Sequence, residues 1–411
     1  MTIKTLMISP TPTHPQDAGN RIRIFQLAEQ LREEGCDLYF AYYDHEGAGG
    51  DYSGMQRFWE GKAVFLSDGK QNILSRSRNL FQSRRSRNVK KQDRVDGSSS
   101  NESGEPLPID VWNNKNFDDI LLKLHSRLHF QMVWIEYVFL SGILKRFDSS
   151  VRKLIDTHDV FTDRHKMFSA NRIPPEWFYT DRENEKMGLS RSDHVIAIKE
   201  KDAKFFRGMG VPNVITIGHL FPPPPRDENH PGEFDVLFMG SDNAGNLTAW
   251  QYFADSMLRR VKELIPRVSI QVAGRICGRI PDSPDYGKLG TVSDLNEIYR
   301  SVKVAINPVT FGTGLKIKSI EPLAFGRPVV TTPEGIEGLE GARNRGILVG
   351  GTPEEFVDHL VSLLKEPSIY SRQRDLGYQY YCRYQARNKL RLKGLLSEVR
   401  TRIHSKESEE D

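Results

Sequence analysis

The sequence predicts an α/β protein of two domains, each built around a parallel β-sheet. Short apolar runs typical of strands alternate with segments whose apolar residues recur at helical spacing. Four consecutive prolines, Pro222 to Pro225, interrupt this alternation near the middle of the chain. A length of 411 residues is enough for two or three domains of ~100–200 residues each.

The first domain is predicted over residues 1–221 and opens with a strand, a helix and a second strand. Residues 3–8 are typical of a strand, residues 22–31 have helical periodicity that stops at Gly35, and residues 37–43 are again strand-like. This order implies a parallel sheet with helices on its faces. Further strands are predicted at residues 132–137, 153–156, 193–198 and 213–217.

The prolines and the polar residues after them predict a stiff hinge at residues 222–232. A second α/β domain is predicted over residues 233–377, followed by a helix rich in tyrosine and arginine over residues 378–403 and an acidic tail to Asp411. Strands of the second domain are predicted at residues 234–240, 268–274 and 304–306.

Composition excludes several classes of protein. The chain has no run of ~18 apolar residues, and its first ten residues favour a strand over a signal peptide. Cys36, Cys277 and Cys382 lack metal-ligand spacing, so we expect reduced thiols in a cytoplasmic protein. The formal charge of +4 is too small to favour nucleic acid as a partner.

A basic segment near residues 70–116 stands apart as an insertion. It carries eight Arg and Lys residues between positions 76 and 94, followed by a Gly/Ser-rich run. Two interpretations stay open: a solvated, partly disordered insertion, or a face that attracts anionic lipid headgroups or an anionic acceptor. The second would place the protein peripherally at the inner face of a membrane.

The region from Asn307 to Leu339 gives the strongest functional signal. A buried strand is followed by a loop with Gly312 and Gly314, and then by the start of a helix. Backbone N–H groups at a helix N-terminus suit a phosphate or diphosphate. Lys316 is favoured as the residue that neutralises the phosphate charge, with Lys318 as the alternate. Side chains two positions apart on a regular helix cannot point in the same direction.

Glu321 lies about one and a half turns into the predicted helix. A carboxylate there can accept hydrogen bonds from two vicinal hydroxyls, such as those of a ribose. Gly326 then ends the helix, and Pro328 prevents its continuation before the next strand. A diphosphate site beside a diol site predicts a nucleotide-sugar pocket. The alternative is an ordinary strand–loop–helix with Glu321 solvated.

This segment resembles the donor-binding signature of family 4 retaining glycosyltransferases, and the resemblance covers nearly the whole chain. It implies the GT-B fold, in which two Rossmann-like domains face a cleft and a C-terminal helix crosses back to the first domain. Glu321 matches the second Glu of the family's Glu-x7-Glu pattern, which holds the nucleotide ribose. The first Glu, which touches the donor sugar, would fall at Thr313, and Leu315 completes the loop.

The loop that contains Gly19 and Asn20 follows the first strand. Gly19 allows a ligand to approach the backbone closely, and the resemblance places this loop against the donor diphosphate and the acceptor. A plain turn with Asn20 as a helix cap is the alternative. No Gly-x-Gly-x-x-Gly motif is present, so a nicotinamide site is disfavoured.

His158, Asp159 and Arg164 follow the strand at residues 153–156, at the carboxyl edge where parallel sheets bind ligands. The resemblance implies that His158 faces the transferred sugar, with catalytic roles for His158, Lys316 and Glu321. Asp159 and Arg164 are assigned to the acceptor side. The alternatives are a packed strand-end histidine and a surface salt bridge for Arg164.

The second domain offers further donor contacts. Gly240, Ser241 and Asn246 follow its first strand, where a helix cap before Leu247 is the alternative. By resemblance, Arg275 contacts the base or a phosphate, and Val292 and Leu295 pack near the base. No metal or other cofactor is expected, because lysines and helix N-termini can neutralise a diphosphate.

The implied function is transfer of a sugar from a nucleotide-diphosphate sugar to an acceptor hydroxyl, with retention of anomeric configuration. The expected acceptor is a saccharide or a lipid-linked saccharide of cell-surface polysaccharide or glycoconjugate synthesis. A sugar-nucleotide epimerase of the same fold and a catalytically decayed binding protein are the alternatives.

Overall fold

The computed structural model describes residues 2–44, 50–67, 105–175, 177–222, 232–292 and 294–410. The basic run and most of the predicted hinge lie outside these residues. The strands of the described part are β1 (Ile3–Ser9), β2 (Cys36–Asp44), β3 (Ala63–Ser67), β4 (Met132–Glu136), β5 (Arg152–Asp156), β6 (His194–Ala197), β7 (Val214–Thr216), β8 (Phe234–Met239), β9 (Ile270–Ala273), β10 (Gly287–Gly290), β11 (Val302–Asn307), β12 (Val329–Thr331) and β13 (Ile347–Val349).

The helices run between these strands and cover both faces of each sheet. The α-helices of the described part are α1 (Gly19–Glu33), α2 (Tyr52–Phe58), α3 (Lys115–Leu128), α4 (Arg164–Ala170), α5 (Arg182–Leu189), α6 (Glu200–Gly208), α7 (Ala244–Phe253), α8 (Arg259–Leu264), α9 (Leu295–Arg300), α10 (Ile317–Ala324), α11 (Pro353–Lys365) and α12 (Pro367–Glu410). Five π-helical residues join α7 to α8, and 3-10 turns follow β4 and β9.

The strands form two sheets in which every pair is parallel. The first sheet has the order β3-β2-β1-β4-β5-β6-β7 and the second has the order β10-β9-β8-β11-β12-β13. Both follow the Rossmann order, which reverses between β1 and β4 in one domain and between β8 and β11 in the other. These reversals open a crevice at the carboxyl end of each sheet. The predicted fold class, two Rossmann-like domains facing a cleft, is confirmed.

Helix α12 connects the cores of the two domains. Its first half packs Tyr381 and Tyr384 into the core of the second domain. Its second half places Leu396 and Val399, both 0% exposed, in the core of the first domain. The helix that the sequence predicts from residue 378 begins at Pro367, since a proline at the first helical position needs no N–H partner.

The connection between the domains is anchored by the same helix. Gly218 N donates to Asn388 Oδ1 at 2.9 Å, and His219 N donates to the Tyr384 hydroxyl at 2.9 Å. Gln385 bonds the backbone on both sides, donating to His219 O and accepting from Phe221 N. The backbone of residues 218–221 is therefore held by side chains of α12, which satisfy its buried polar groups.

Local predictions fail mainly at helix starts. Helix α1 begins at Gly19, three residues before the predicted start, so Asn20 lies in its first turn and is not its cap. Helix α7 is capped by Asn243, whose side chain accepts from Asn246 N, so Asn246 lies inside the helix. Residues 105–116, assigned to the insertion by sequence, include Leu107 and Ile109, which are buried in the first core.

Truncation of Leu396 should destabilise the protein because its side chain is completely buried between α12 and the first sheet. We expect Leu396→Ala to lower the free energy of unfolding by ~2–5 kcal/mol, measured by urea denaturation. Leu390 on the same helix is 71% exposed, and Leu390→Ala should change the free energy of unfolding by less than ~0.5 kcal/mol. Equal effects of the two variants would contradict the packing of α12 on the first domain.

Candidate active site in the cleft between the domains

A cavity of about 310 Å³ lies between the carboxyl edges of the two sheets. Its walls include the segments that follow β1, β5, β8 and β11, so both domains contribute. In the described part of the chain, Gly312 and Arg275 are the predicted site residues that do not line it. The predicted residues that do are Gly19, Asn20, His158, Asp159, Arg164, Gly240, Ser241, Asn246, Val292, Leu295, Thr313, Gly314, Leu315, Lys316, Lys318 and Glu321.

Helix N-termini of both domains converge on this cavity. Helix α1 begins at Gly19 and α10 begins at Ile317, and a Cβ atom added to Gly19 would lie 3.3 Å from Ile317 Cδ1. The start of α7 contributes Asn243 to the same wall. Unpaired N–H groups and the positive ends of helix dipoles favour an anionic ligand here.

The loop before α10 needs its two glycines. Gly312 and Gly314 have φ angles of +138° and +72°, which L side chains rarely adopt. A Cβ atom on Gly314 would also lie 3.2 Å from His158 O of the first domain. Lys316 closes the loop, because its Nζ donates to the carbonyls of Gly312, Thr313 and Gly314 at 2.9–3.1 Å. The loop is thus a fixed ring against which the first domain packs.

Lys316 and Lys318 line the same cavity, contrary to the expectation that they diverge. Lys316 is the N-cap residue of α10 and lacks helical geometry, so the helical spacing argument does not apply to it. Burial, with a smaller contribution from Lys199, lowers the pKa of Lys316 to about 8. Burial and the neighbouring Lys316 lower the pKa of Lys318 to about 7. An anion in the cavity would favour the charged form of both.

Glu321 points its carboxylate into the cavity and is only 3% exposed. Its Oε2 accepts from the Tyr299 hydroxyl at 3.3 Å, whereas its Oε1 receives no hydrogen bond from the described residues. His219 Nε2 lies 3.4 Å from that oxygen. A buried carboxylate oxygen without a donor is unfavourable, and a ligand hydroxyl would satisfy it. The alternative of a solvated Glu321 is therefore wrong.

His158 is fixed by residues that sequence reasoning missed. Its Nε2 lies 2.5 Å from Glu136 Oε2, and its ring stacks on Tyr137 at 4.1 Å between centroids. Burial, reinforced by the nearby Asp156, raises the pKa of the Glu136 carboxyl. With Nε2 committed to Glu136, Nδ1 is the ring nitrogen left to meet a ligand. No local motif marks Glu136, since it lies 22 residues from His158 in sequence.

Glu136, Asp156 and His158 are buried together, with ligand atoms within 4.8 Å of one another. This spacing is compatible with a metal ion, but a cation is already built into the group. Arg23 donates to both oxygens of Asp156 at 2.9 and 2.8 Å. The guanidinium neutralises Asp156, and His158 is the member of the three that lines the cavity.

Arg275 differs from its predicted role at the base or a phosphate. Its Nη1 lies 2.5 Å from Asp17 Oδ2 of the first domain, and its Nε lies 3.0 Å from Asp242 Oδ1. The guanidinium is thus used to bridge the two rims of the cleft. No local pattern indicates this pairing, because Asp17 is 258 residues away in sequence.

One hydrogen bond joins a residue predicted on the acceptor side, Asp159, to a residue predicted on the donor side, Thr313. Thr313 Oγ1 donates to Asp159 Oδ2 at 2.5 Å, and Arg164 Nε lies 3.7 Å from the same oxygen. Trp177 also lines the cavity, edge-on to Tyr137 at 4.8 Å, and was not predicted. The first domain therefore offers an aromatic wall and a carboxylate beside the Gly-rich loop.

The family described as glycosyl transferases group 1 matches residues 233–366. The match covers nearly all of the second domain. An uncharacterized 44.6 kDa protein of the cps region of Klebsiella pneumoniae is 22% identical over 393 residues, which span 89% of this chain and 92% of that protein.

Solved structures extend the similarity to the whole fold. Sucrose-phosphate synthase from Thermosynechococcus elongatus has a TM-score of 0.67 at 13% identity, over 97% of this chain and 99% of that chain. TarM from S. aureus has a TM-score of 0.66 at 12% identity, over 96% and 99%. HepE from Anabaena has a TM-score of 0.64 at 11% identity, over 96% and 100%. The chain has the GT-B fold.

The lysine pKa values predict a pH-dependent affinity for a nucleoside diphosphate. Below pH 7 both Lys316 and Lys318 are charged, whereas above pH 8 binding requires uptake of protons. We expect the Kd to rise by ~tenfold or more from pH 6.5 to pH 9, measured by calorimetry with the tightest binder among UDP, GDP and ADP. Lys318→Met should flatten the dependence near pH 7, and Lys365→Met on the exposed surface of α11 should not. A constant Kd over this range would contradict the assignment.

Proposed function

We propose that the protein transfers a sugar from a nucleotide-diphosphate sugar to an acceptor hydroxyl, with retention of anomeric configuration. The observation that carries the proposal is the buried Glu321 carboxylate, with one oxygen left for a ligand, in the helix whose N-terminus carries the Gly-rich loop. One short helix thus carries a hydrogen-bond acceptor for a diol and a site for a diphosphate. These match the two ends of a ribose diphosphate.

The nucleotide half of the donor lies against the second domain in this proposal. Glu321 accepts from the ribose hydroxyls, and the diphosphate lies at the start of α10 near Lys318. Support comes from the family match over residues 233–366 and from HepE, whose solved structures contain UDP alone or UDP and glucose. Val292 and Leu295 line the cavity where the base would pack.

The chemical step is a front-face substitution. The bond between the anomeric carbon and the phosphate oxygen breaks, and the acceptor oxygen bonds to the same face of that carbon. The proton of the acceptor hydroxyl passes to the departing phosphate oxygen, which leaves as the nucleoside diphosphate. N–H groups at the start of α10 and the charge of Lys316 and Lys318 stabilise the negative charge that grows on that oxygen.

His158 contacts the transferred group through Nδ1, because Glu136 holds its other ring nitrogen. The stacked Tyr137 and the edge-on Trp177 exclude water from this part of the cavity. Restricting water is useful to a transferase, since a water molecule at the acceptor position would hydrolyse the donor.

The acceptor class is a saccharide or lipid-linked saccharide of cell-surface polysaccharide synthesis. Two similarities support it: the Klebsiella pneumoniae relative is encoded in a cps region, and one TarM structure contains α-GlcNAc-glycerol together with UDP. Cytoplasmic location, peripheral contact with an anionic membrane and independence of metal belong to the same proposal. None of the helices in the described ranges is both long and apolar enough to cross a bilayer.

The proposal is tested by binding and turnover of donors. Purified protein is titrated with UDP, GDP and ADP and with UDP-glucose, GDP-mannose and ADP-glucose, with and without EDTA. We expect one base to be preferred at micromolar Kd, with EDTA having no effect. The configuration of the product formed from the matching donor, read by NMR, decides between retention and inversion.

Glu321→Ala should weaken binding of that nucleoside diphosphate by ~tenfold or more, because hydrogen bonds to a buried charged group contribute ~1.5–3 kcal/mol. The matched control is Glu334→Ala, which removes an exposed carboxylate of the same domain. Unchanged affinity in Glu321→Ala, or no binding of any nucleotide by the unaltered protein, would contradict the proposal. The latter result would favour a decayed, non-catalytic protein.

A further inference from the structure

The hydrogen bond from Thr313 to Asp159 joins the two walls of the cleft at the point where the transferred sugar would lie. Thr313 belongs to the loop between β11 and α10, and Asp159 belongs to the loop after β5. The two residues are 154 positions apart, and both line the cavity. The contact is a meeting of the donor loop with a carboxylate of the opposite domain.

The carboxylate of Asp159 is held by hydrogen bonds but remains accessible from the cavity. Its Oδ1 accepts from Val160 N at 3.0 Å and its Oδ2 accepts from Thr313, while Arg164 lies 3.7 Å away. A carboxylate has about four lone-pair sites, so acceptor capacity remains. The side chain is 17% exposed, and its open side faces the cavity. Such a group suits the hydroxyls of a carbohydrate, which are hydrogen-bond donors.

The other carboxylates that line the cavity have different surroundings. Asp17 is paired with Arg21 at 3.1 Å and with Arg275 at 2.5 Å. Glu321 lies on the second domain beside Tyr299, where the ribose is proposed to bind. Asp159 is thus the carboxylate placed on the far side of the Gly-rich loop from the ribose position.

We propose that Asp159 binds hydroxyls of the donor sugar and selects among sugars, and that Thr313 is the positioning residue that holds it there. The inference rests on the proposed function. The sugar is attached to the diphosphate at the Gly-rich loop, and that loop lies against the segment His158–Asp159, so the sugar falls within reach of Asp159. The sugar subsite is therefore divided between the domains and is complete only when they are closed.

The inference is tested by separating the sugar from the nucleotide. Kd values are measured by calorimetry for UDP, GDP and ADP and for UDP-glucose, GDP-mannose and ADP-glucose. The ratio of the Kd of each nucleoside diphosphate to the Kd of its sugar conjugate gives the contribution of the sugar to binding. We expect Asp159→Ala to lower the sugar-dependent gain by ~tenfold or more while the nucleoside diphosphate binds as before. Thr313→Val should produce a smaller loss in the same direction.

Matched controls lie in the same two loops. Asp163→Asn alters an exposed carboxylate four residues from Asp159, and Thr310→Val alters a threonine of the β11–α10 loop outside the cavity wall. Both should leave the ratio unchanged. The double variant Asp159→Ala/Thr313→Glu returns a carboxylate to the same space from the opposite loop, and we expect it to recover a sugar-dependent gain that Asp159→Ala lacks.

Three results would overturn the inference. Equal weakening of nucleoside diphosphate and sugar conjugate by Asp159→Ala would mean that Asp159 serves only domain closure. An unchanged ratio in Asp159→Ala would mean that Asp159 does not contact the donor sugar. If Asp159→Ala loses the sugar-dependent gain in affinity and the double variant does not recover it, a carboxylate at this place is not what binds the sugar. Failure of the unaltered protein to bind any nucleotide would instead overturn the proposed function, and this inference with it.

Discussion

The buried ion pair between Arg23 and Asp156 is the interaction on which the rest of the cleft depends. Arg23 reaches from α1 to the end of β5 and also donates to Ile217 O and Gly218 O of the interdomain connection. Gly218 N is in turn bonded to Asn388 of α12. One guanidinium therefore fixes the His158 loop, the connection and the crossing helix relative to one another. Removing one partner of such a buried pair costs ~3–5 kcal/mol, because a charge is left uncompensated.

With the two carboxyl edges held in place, the cleft acquires opposite electrostatic regions. Helix N-termini, Lys316 and Lys318 place positive charge at the cavity wall, which favours an anionic ligand there. Glu321 and Asp159 supply acceptors on either side of the Gly-rich loop, where hydroxyls are needed. The two carboxylates belong to different domains, which meet where the loop at Gly314 comes close to the backbone of His158.

The sequence was informative where function depends on local spacing. The Gly-rich loop, Glu321 and the end of α10 near Gly326 lie within 15 residues of one another, and the strand periodicity fixed the fold class. Partners distant in sequence were not recoverable: Glu136 behind His158, His219 beside Glu321, and Asp17 with Arg275. Strands β3, β10 and β13 were also missed, since they are short and lie toward sheet edges. The alternative that Asn20 caps the helix is wrong, because the helix starts one residue earlier, on a glycine.

The account is tested most directly by a crystal structure of the protein with the nucleoside diphosphate that binds most tightly. It predicts the terminal phosphate at the backbone N–H groups that open α10, and the ribose hydroxyls within ~3 Å of the unpaired Glu321 oxygen. A nucleotide bound elsewhere, with that oxygen still facing only His219, would contradict it.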